Sequence, residues 1–180
     1  MRVLVTGGSG SGKSSFAEEI ITGMSGDRLV YIATMIPYGY EGKLKVEKHR
    51  KMRADKEFIT IERYLNLKSA EIYKYDCVII ECMSNLLANE MFEKDGAKDE
   101  SVKRIIDGIN YVSDKAANTV FVSNDIFRDG YVYDEETEKY IENLAIINRY
   151  ILEKSDEAYE IVCGIPIKLK GAGECLKLLR

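Results

Sequence analysis

The segment Gly7-Gly8-Ser9-Gly10-Ser11-Gly12-Lys13-Ser14 follows a short apolar run at residues 2–6 and opens a helical pattern at 13–24. Glycines at this density let the backbone fold back on itself without Cβ clashes, so successive N–H groups can converge on one anion. The helix behind the loop aims its positive end at the same point. The spacing Gly-x-x-x-x-Gly-Lys-Ser between a strand and a helix therefore predicts a cradle for the phosphates of a nucleoside triphosphate. Lys13 supplies a mobile cation for the β- and γ-phosphates, and the Ser14 hydroxyl is a candidate Mg²⁺ ligand. The pattern specifies neither the base nor the reaction.

Behind this loop, short apolar runs alternate with helical periodicity. Strands are expected at 2–6, 29–34, 58–62, 76–81, 119–124, 158–163 and 165–169. Several are continuously apolar and rich in Val and Ile, as strands of a parallel sheet buried on both faces are. Helices are expected at 13–24, 42–54, 84–93, 101–117 and 135–154. This alternation predicts an α/β fold of the P-loop NTPase type, a mostly parallel sheet with helices on both faces. The 180 residues are read as a single domain, 1–180. Polar breaks at 36–42, 93–100 and 127–136 read as loops, the first as a mobile one because it holds Pro37, Gly39 and Gly42.

Composition narrows the function classes. A net charge of -4 argues against a general nucleic-acid binder, which is usually basic. Cys77, Cys82 and Cys163 lie in or beside apolar runs and read as small buried hydrophobes, with Cys175 the fourth cysteine. Reduced cysteines fit the cytoplasm. The apolar start at residues 1–6 is too short for a signal core, and no apolar run approaches the roughly 20 residues that span a bilayer.

An acidic partner for the Mg²⁺ shell is expected at the end of a second core strand. Glu81, closing the run at 76–81, is the first candidate, and Asp125 is the alternative. The one histidine, His49, lies in a window (43–56) with seven Lys/Arg and two acids. Concentrated positive charge in an acidic chain suits a polyanion, here the triphosphate. On a helix, Lys45, His49 and Arg53 share a face, and neighbouring cations disfavour imidazolium. Read from this window alone, His49 is a neutral nucleophile at phosphorus or a surface residue on a solvated helix.

The ordered combination of these elements resembles the bifunctional adenosylcobinamide kinase / adenosylcobinamide-phosphate guanylyltransferase family. It runs over residues 1–170. Its marks are Val5-Thr6-Gly7-Gly8 leading into Ser11-Gly12-Lys13-Ser14, Ala17-Glu18, Tyr31-Ile32-Ala33-Thr34, and His49-Arg50 with Arg53. Thr60-Ile61-Glu62, Ile80-Glu81-Cys82, Asn89, Phe92, Asn124, Asn148 and Cys163-Gly164-Ile165-Pro166 follow in order. The chain departs from the usual pattern at Gly39, Gly42, Asp125 and 138–141.

The resemblance implies that His49 is guanylylated during turnover. It maps nucleotide contacts onto residues 7–14, Ala33, Thr34, Met35, Arg50, Lys51, Met52, Arg53, Glu62 and Glu81, with Ser14 and Glu81 on Mg²⁺. It implies ATP or GTP and a corrinoid as substrates, and a homotrimer. Two other readings stay compatible with the cradle: a P-loop small-molecule kinase with no covalent nucleotide, and a nucleotide-gated regulatory module.

Overall fold

The computed structural model describes residues 1–53, 56–127 and 130–172, without the side chains at 41, 43, 45, 48, 49, 52 and 53. Ala54 of the expected second helix, Asp129 of the third break and Cys175 lie outside the described residues. In chain order the elements are β1 (Arg2–Gly7), α1 (Lys13–Thr22), β2 (Arg28–Ala33), α2 (Gly39–Arg53), β3 (Ile59–Glu62) and β4 (Asp76–Glu81). Then come α3 (Met83–Phe92), α4 (Ser101–Lys115), β5 (Asn118–Val122), α5 (Glu135–Lys154), β6 (Glu157–Val162) and β7 (Ile165–Lys170).

The strands form one seven-stranded sheet in the order β3-β2-β4-β5-β1-β6-β7. All neighbouring pairs are parallel except β6 with β7. Apolar side chains on both faces of the central strands require helices on both sides. On one face α1 lays Phe16, Ala17 and Ile21 over Val3, Val5, Ile79, Val120 and Val122. On the other, Leu86 and Leu87 of α3, Ile105 and Ile109 of α4, and Leu144 and Ile147 of α5 cover Leu4, Ile32, Val78, Ile80 and Phe121. None of the described side chains of α2 belongs to either cluster, which leaves that helix beside the sheet's carboxyl edge. No helix among the described residues is long and apolar enough to cross a membrane.

Two local expectations are corrected, at 36–42 and at Cys163, while the breaks at 93–100 and 127–136 stand. The segment expected as a loop at 36–42 already contains the start of α2 at Gly39. Pro37 precedes a helix start, where its fixed φ and missing N–H are tolerated. Gly42 donates its N–H to Tyr38 O at 3.1 Å, and a Cβ there would lie 3.0 Å from the Pro37 carbonyl carbon. Gly42 therefore takes part in the first turn of α2 instead of breaking it. The break at 93–100 ends in a short 3-10 turn, Lys98–Glu100, and Asp134 caps α5 by accepting from Thr137 N. Cys163 is exposed, not buried. It shares the two-residue β6–β7 loop with Gly164 at φ 51 and 81, the doubly left-handed geometry of a tight hairpin, which turns its side chain away from the core.

At the amino edge, Arg28 and Asp76 open β2 and β4 in register. Asp76 is buried and accepts from Arg28 Nε (2.7 Å), Arg28 Nη2 (2.6 Å) and Tyr73 N (2.8 Å). Burial pushes the carboxyl up, but the Arg28 hydrogen bonds, the Tyr73 N–H and the guanidinium charge outweigh it and hold it below its ordinary value. A depressed carboxyl stabilises the fold above its unfolded pKa, near 3.9, and loses that contribution as pH falls through the folded value. Asp76→Ala, which removes the acceptor of two Arg28 hydrogen bonds and of Tyr73 N, should cost about 1–2 kcal/mol in urea unfolding at neutral pH, since solvent screens the partly exposed Arg28, and the difference from the parent should shrink below about pH 4.

Candidate active site

The cradle forms where β1 ends. Its first glycine is required by contact. A Cβ on Gly7 would sit 2.6 Å from the Ile161 carbonyl oxygen of β6 and 2.7 Å from Ser11 Oγ. The loop is closed by Ser11 N donating to Gly8 O (3.2 Å) and clamped from the β6–β7 turn by Gly164 N donating to Ser11 O (2.8 Å). Ser11 Oγ is buried without a partner among the described residues, a polar group inside a loop shaped for an anion. α1 starts at Lys13 behind a left-handed Gly12.

Lys13 folds back over the loop and donates to Gly8 O at 2.9 Å. Burial lowers its pKa from the ordinary 10.5, while Cys82 and Glu81 pull it back up. Ser14 donates its hydroxyl to Glu81 Oε1 at 2.5 Å. The other carboxylate oxygen, Oε2, accepts from Tyr31 OH at 2.7 Å. Ser14 and Glu81 thus bring two hard oxygen donors together beside the cradle, the kind of donor set Mg²⁺ takes alongside phosphate oxygens. These residues fit that ion.

Asp125, the alternative acid, is held elsewhere. Its N–H donates to Gly7 O at 3.0 Å and its Oδ1 accepts from Phe127 N at 3.3 Å, which closes a turn. Asn124 donates to Ser84 Oγ at 2.6 Å and ties that turn to α3.

Beside Glu81 a small cleft of about 70 Å³ opens between the ends of β2, β3 and β4 and the flank of α2. Tyr31, Ala33 and Met35 form one wall, Thr60, Glu62 and Tyr64 another, and Glu81, Cys82 and Asn85 a third. Val46 and Arg50 of α2 complete it. Glu62 is held from two sides, by an ion pair with Arg50 and by Tyr64 OH at 2.8 Å. Burial and the Glu62 carboxylate both raise the Tyr64 phenol above its ordinary value.

Of the expected contacts, the cradle residues, Ala33, Met35, Arg50, Glu62 and Glu81 therefore lie along one edge. Thr34 is fully buried; its hydroxyl donates to Cys82 O (2.8 Å) and its carbonyl accepts from Asn89 Nδ2 (2.7 Å). Lys51 is exposed and paired with Glu47 at 2.9 Å. The side chains of His49, Met52 and Arg53 lie outside those described; position 49 itself is in α2, between 46 and 50. Tyr31 and Tyr64 carry polar contacts at the site that were not foreseen. Tyr31 was open to discovery, since alternation along β2 puts it on the same face as Ala33.

A sequence profile described as cobinamide kinase / cobinamide phosphate guanyltransferase matches residues 3–169. The chain belongs to that family. Both named activities transfer phosphorus groups, so it is an enzyme of phosphoryl and nucleotidyl transfer. It is similar to the bifunctional adenosylcobalamin biosynthesis protein CobU of Escherichia coli, 28% identical over 185 residues covering 94% of this chain and 100% of the relative. The Salmonella typhimurium protein of the same name is 29% identical over 187 residues, with 94% and 100% covered. The crystal structure of flagellar accessory protein FlaH from Methanocaldococcus jannaschii superposes with a TM-score of 0.51. At 13% identity, with 96% of this chain and 81% of that one covered, it is similar in fold alone.

Lys13→Ala should lower phosphoryl transfer by roughly 10²-fold or more, as removing one preorganised charge donor does. Because burial depresses Lys13, nucleotide affinity of the free protein should weaken at alkaline pH before the ordinary lysine value of 10.5 is reached, as a pH series of binding titrations would show.

Proposed function

We propose that this enzyme phosphorylates adenosylcobinamide with ATP or GTP, then transfers GMP from GTP to adenosylcobinamide phosphate, giving adenosylcobinamide-GDP. The observation that carries the reading is the meeting of Ser14 and Glu81 beside Lys13, on the same edge as the cleft bearing Glu62 and Arg50. The family's named activities and the cobalamin biosynthesis proteins it resembles support the substrates.

In the kinase step the loop N–H groups and Lys13 hold the triphosphate and stabilise charge on the γ-phosphoryl group as it passes to the acceptor hydroxyl. Mg²⁺, held through Ser14 and Glu81, would supply charge neutralisation at the β- and γ-phosphate oxygens. In the second step an imidazole nitrogen of His49 attacks the α-phosphorus of GTP. A P–N bond forms, the α–β phosphoanhydride bond breaks, and pyrophosphate leaves. A phosphate oxygen of adenosylcobinamide phosphate then attacks the same phosphorus, and the P–N bond breaks to restore neutral histidine. A covalent step lets one nucleotide site serve two partners in sequence. Arg50, Lys51 and Arg53 on the same basic helix offer charge to the leaving pyrophosphate. The family resemblance also supports a homotrimer, which sedimentation equilibrium would test.

Protein incubated with Mg²⁺ and α-phosphate-labelled GTP should retain acid-labile, alkali-stable label after denaturation, mapping to His49 and absent in His49→Ala. A protein that binds GTP yet takes up no label would remove the covalent step and leave a plain P-loop kinase.

A further inference from the structure

Glu81 is oriented by two hydroxyls, one on each carboxylate oxygen, and only one of them belongs to the cradle. The second donor, Tyr31, is 3% exposed and sits mid-strand in β2, paired in register with Ile79 of β4. Glu81 is two residues beyond Ile79, so it is Tyr31's diagonal neighbour on the same sheet face, within reach of a long aromatic side chain. The Tyr31 ring packs edge-on against Phe58, with centroids 5.9 Å apart, which fixes where its hydroxyl points. The same ring lines the cleft that ends at Glu62 and Tyr64. Its two parts therefore face two different tasks: the ring walls the cleft, and the hydroxyl holds the carboxylate.

We infer that Tyr31 is a positioning residue for the metal shell: its hydroxyl holds Glu81 so that the remaining oxygen faces Ser14 and the cradle. This rests on the proposed role of Ser14 and Glu81 toward Mg²⁺. Free rotation of an unheld carboxylate would cost orientation each time the ion and nucleotide bind. Partners that orient metal-binding groups from behind are worth roughly 10- to 100-fold in metal affinity. A purely structural tyrosine, contributing only its ring, would not affect the metal.

The test compares GDP affinity with and without Mg²⁺ by calorimetry, in the parent, Tyr31→Phe, Glu81→Gln and the double variant. Tyr31→Phe keeps the ring against Phe58, and its own metal-free affinity is the reference against which its Mg²⁺ effect is read. The strengthening of GDP binding by Mg²⁺ should shrink roughly ten-fold. Glu81→Gln should shrink it at least as far, and adding Tyr31→Phe to Glu81→Gln should cost nothing more, because the hydroxyl acts through the carboxylate. Unchanged Mg²⁺ strengthening in Tyr31→Phe, with loss in Glu81→Gln, overturns the inference and leaves the Mg²⁺ role of Glu81 standing. Equal weakening with and without Mg²⁺ also overturns it, since the hydroxyl would then contact the nucleotide itself. If Glu81→Gln retains full Mg²⁺ strengthening, the proposed role of Glu81 fails first and the inference falls with it.

Discussion

The hydrogen bond from Ser14 to Glu81 joins the first turn of α1 to the end of β4, across 67 residues of chain. It exists because of the sheet order. β1 and β4 are not neighbours; β5 lies between them. Adjacent strands are about 4.8 Å apart, so the two strand ends stand roughly 10 Å from each other at the carboxyl edge. A loop that leaves β1 and turns into a helix bridges that gap with Lys13 and Ser14, and a glutamate at the end of β4 meets them. Every other group at the site is placed relative to this meeting point: Tyr31 behind Glu81, the cleft beside it, and the β6–β7 turn clamping the cradle from the far side.

The charges of β4 follow the same logic. Its sequence is Asp76-Cys77-Val78-Ile79-Ile80-Glu81, with a carboxylate at each end and an apolar run buried on both faces between them. Asp76 is closed off by Arg28 and Tyr73 and serves stability. Glu81 faces the cradle and is held by hydroxyls, whose donors can turn to other acceptors. β4 thus carries a fixed ion pair at its amino end and exchangeable contacts at its carboxyl end. The crevice at the carboxyl ends of strands is where open α/β sheets bind ligands.

Local chemistry carried much of the fold reading. Continuous Val/Ile runs showed the parallel strands, and the helical pattern at 101–117 showed α4. The errors lie where local signals have two meanings. Pro37, Gly39 and Gly42 are turn residues by composition, yet α2 begins at Gly39 and Gly42 already donates its N–H back to Tyr38 O. Cys163 sits next to an apolar strand, but pairing β7 back onto β6 makes it a turn residue.

Determined by the sequence alone were the phosphate cradle, the alternation of strands and helices, and the α/β class, since each is written in the spacing of a few residues or in periodicity. Only the tertiary structure showed which of Glu81 and Asp125 meets Ser14. Both follow core strands, but β5 is the immediate neighbour of β1, so Asp125 is drawn into a turn on Gly7, while Glu81, one strand further, is left to face Ser14. The same holds for Tyr31 as the second donor to Glu81 and for the cleft walled by three strand ends and α2. Strand order and register are sums over contacts far apart in the chain, and no short window of sequence contains them.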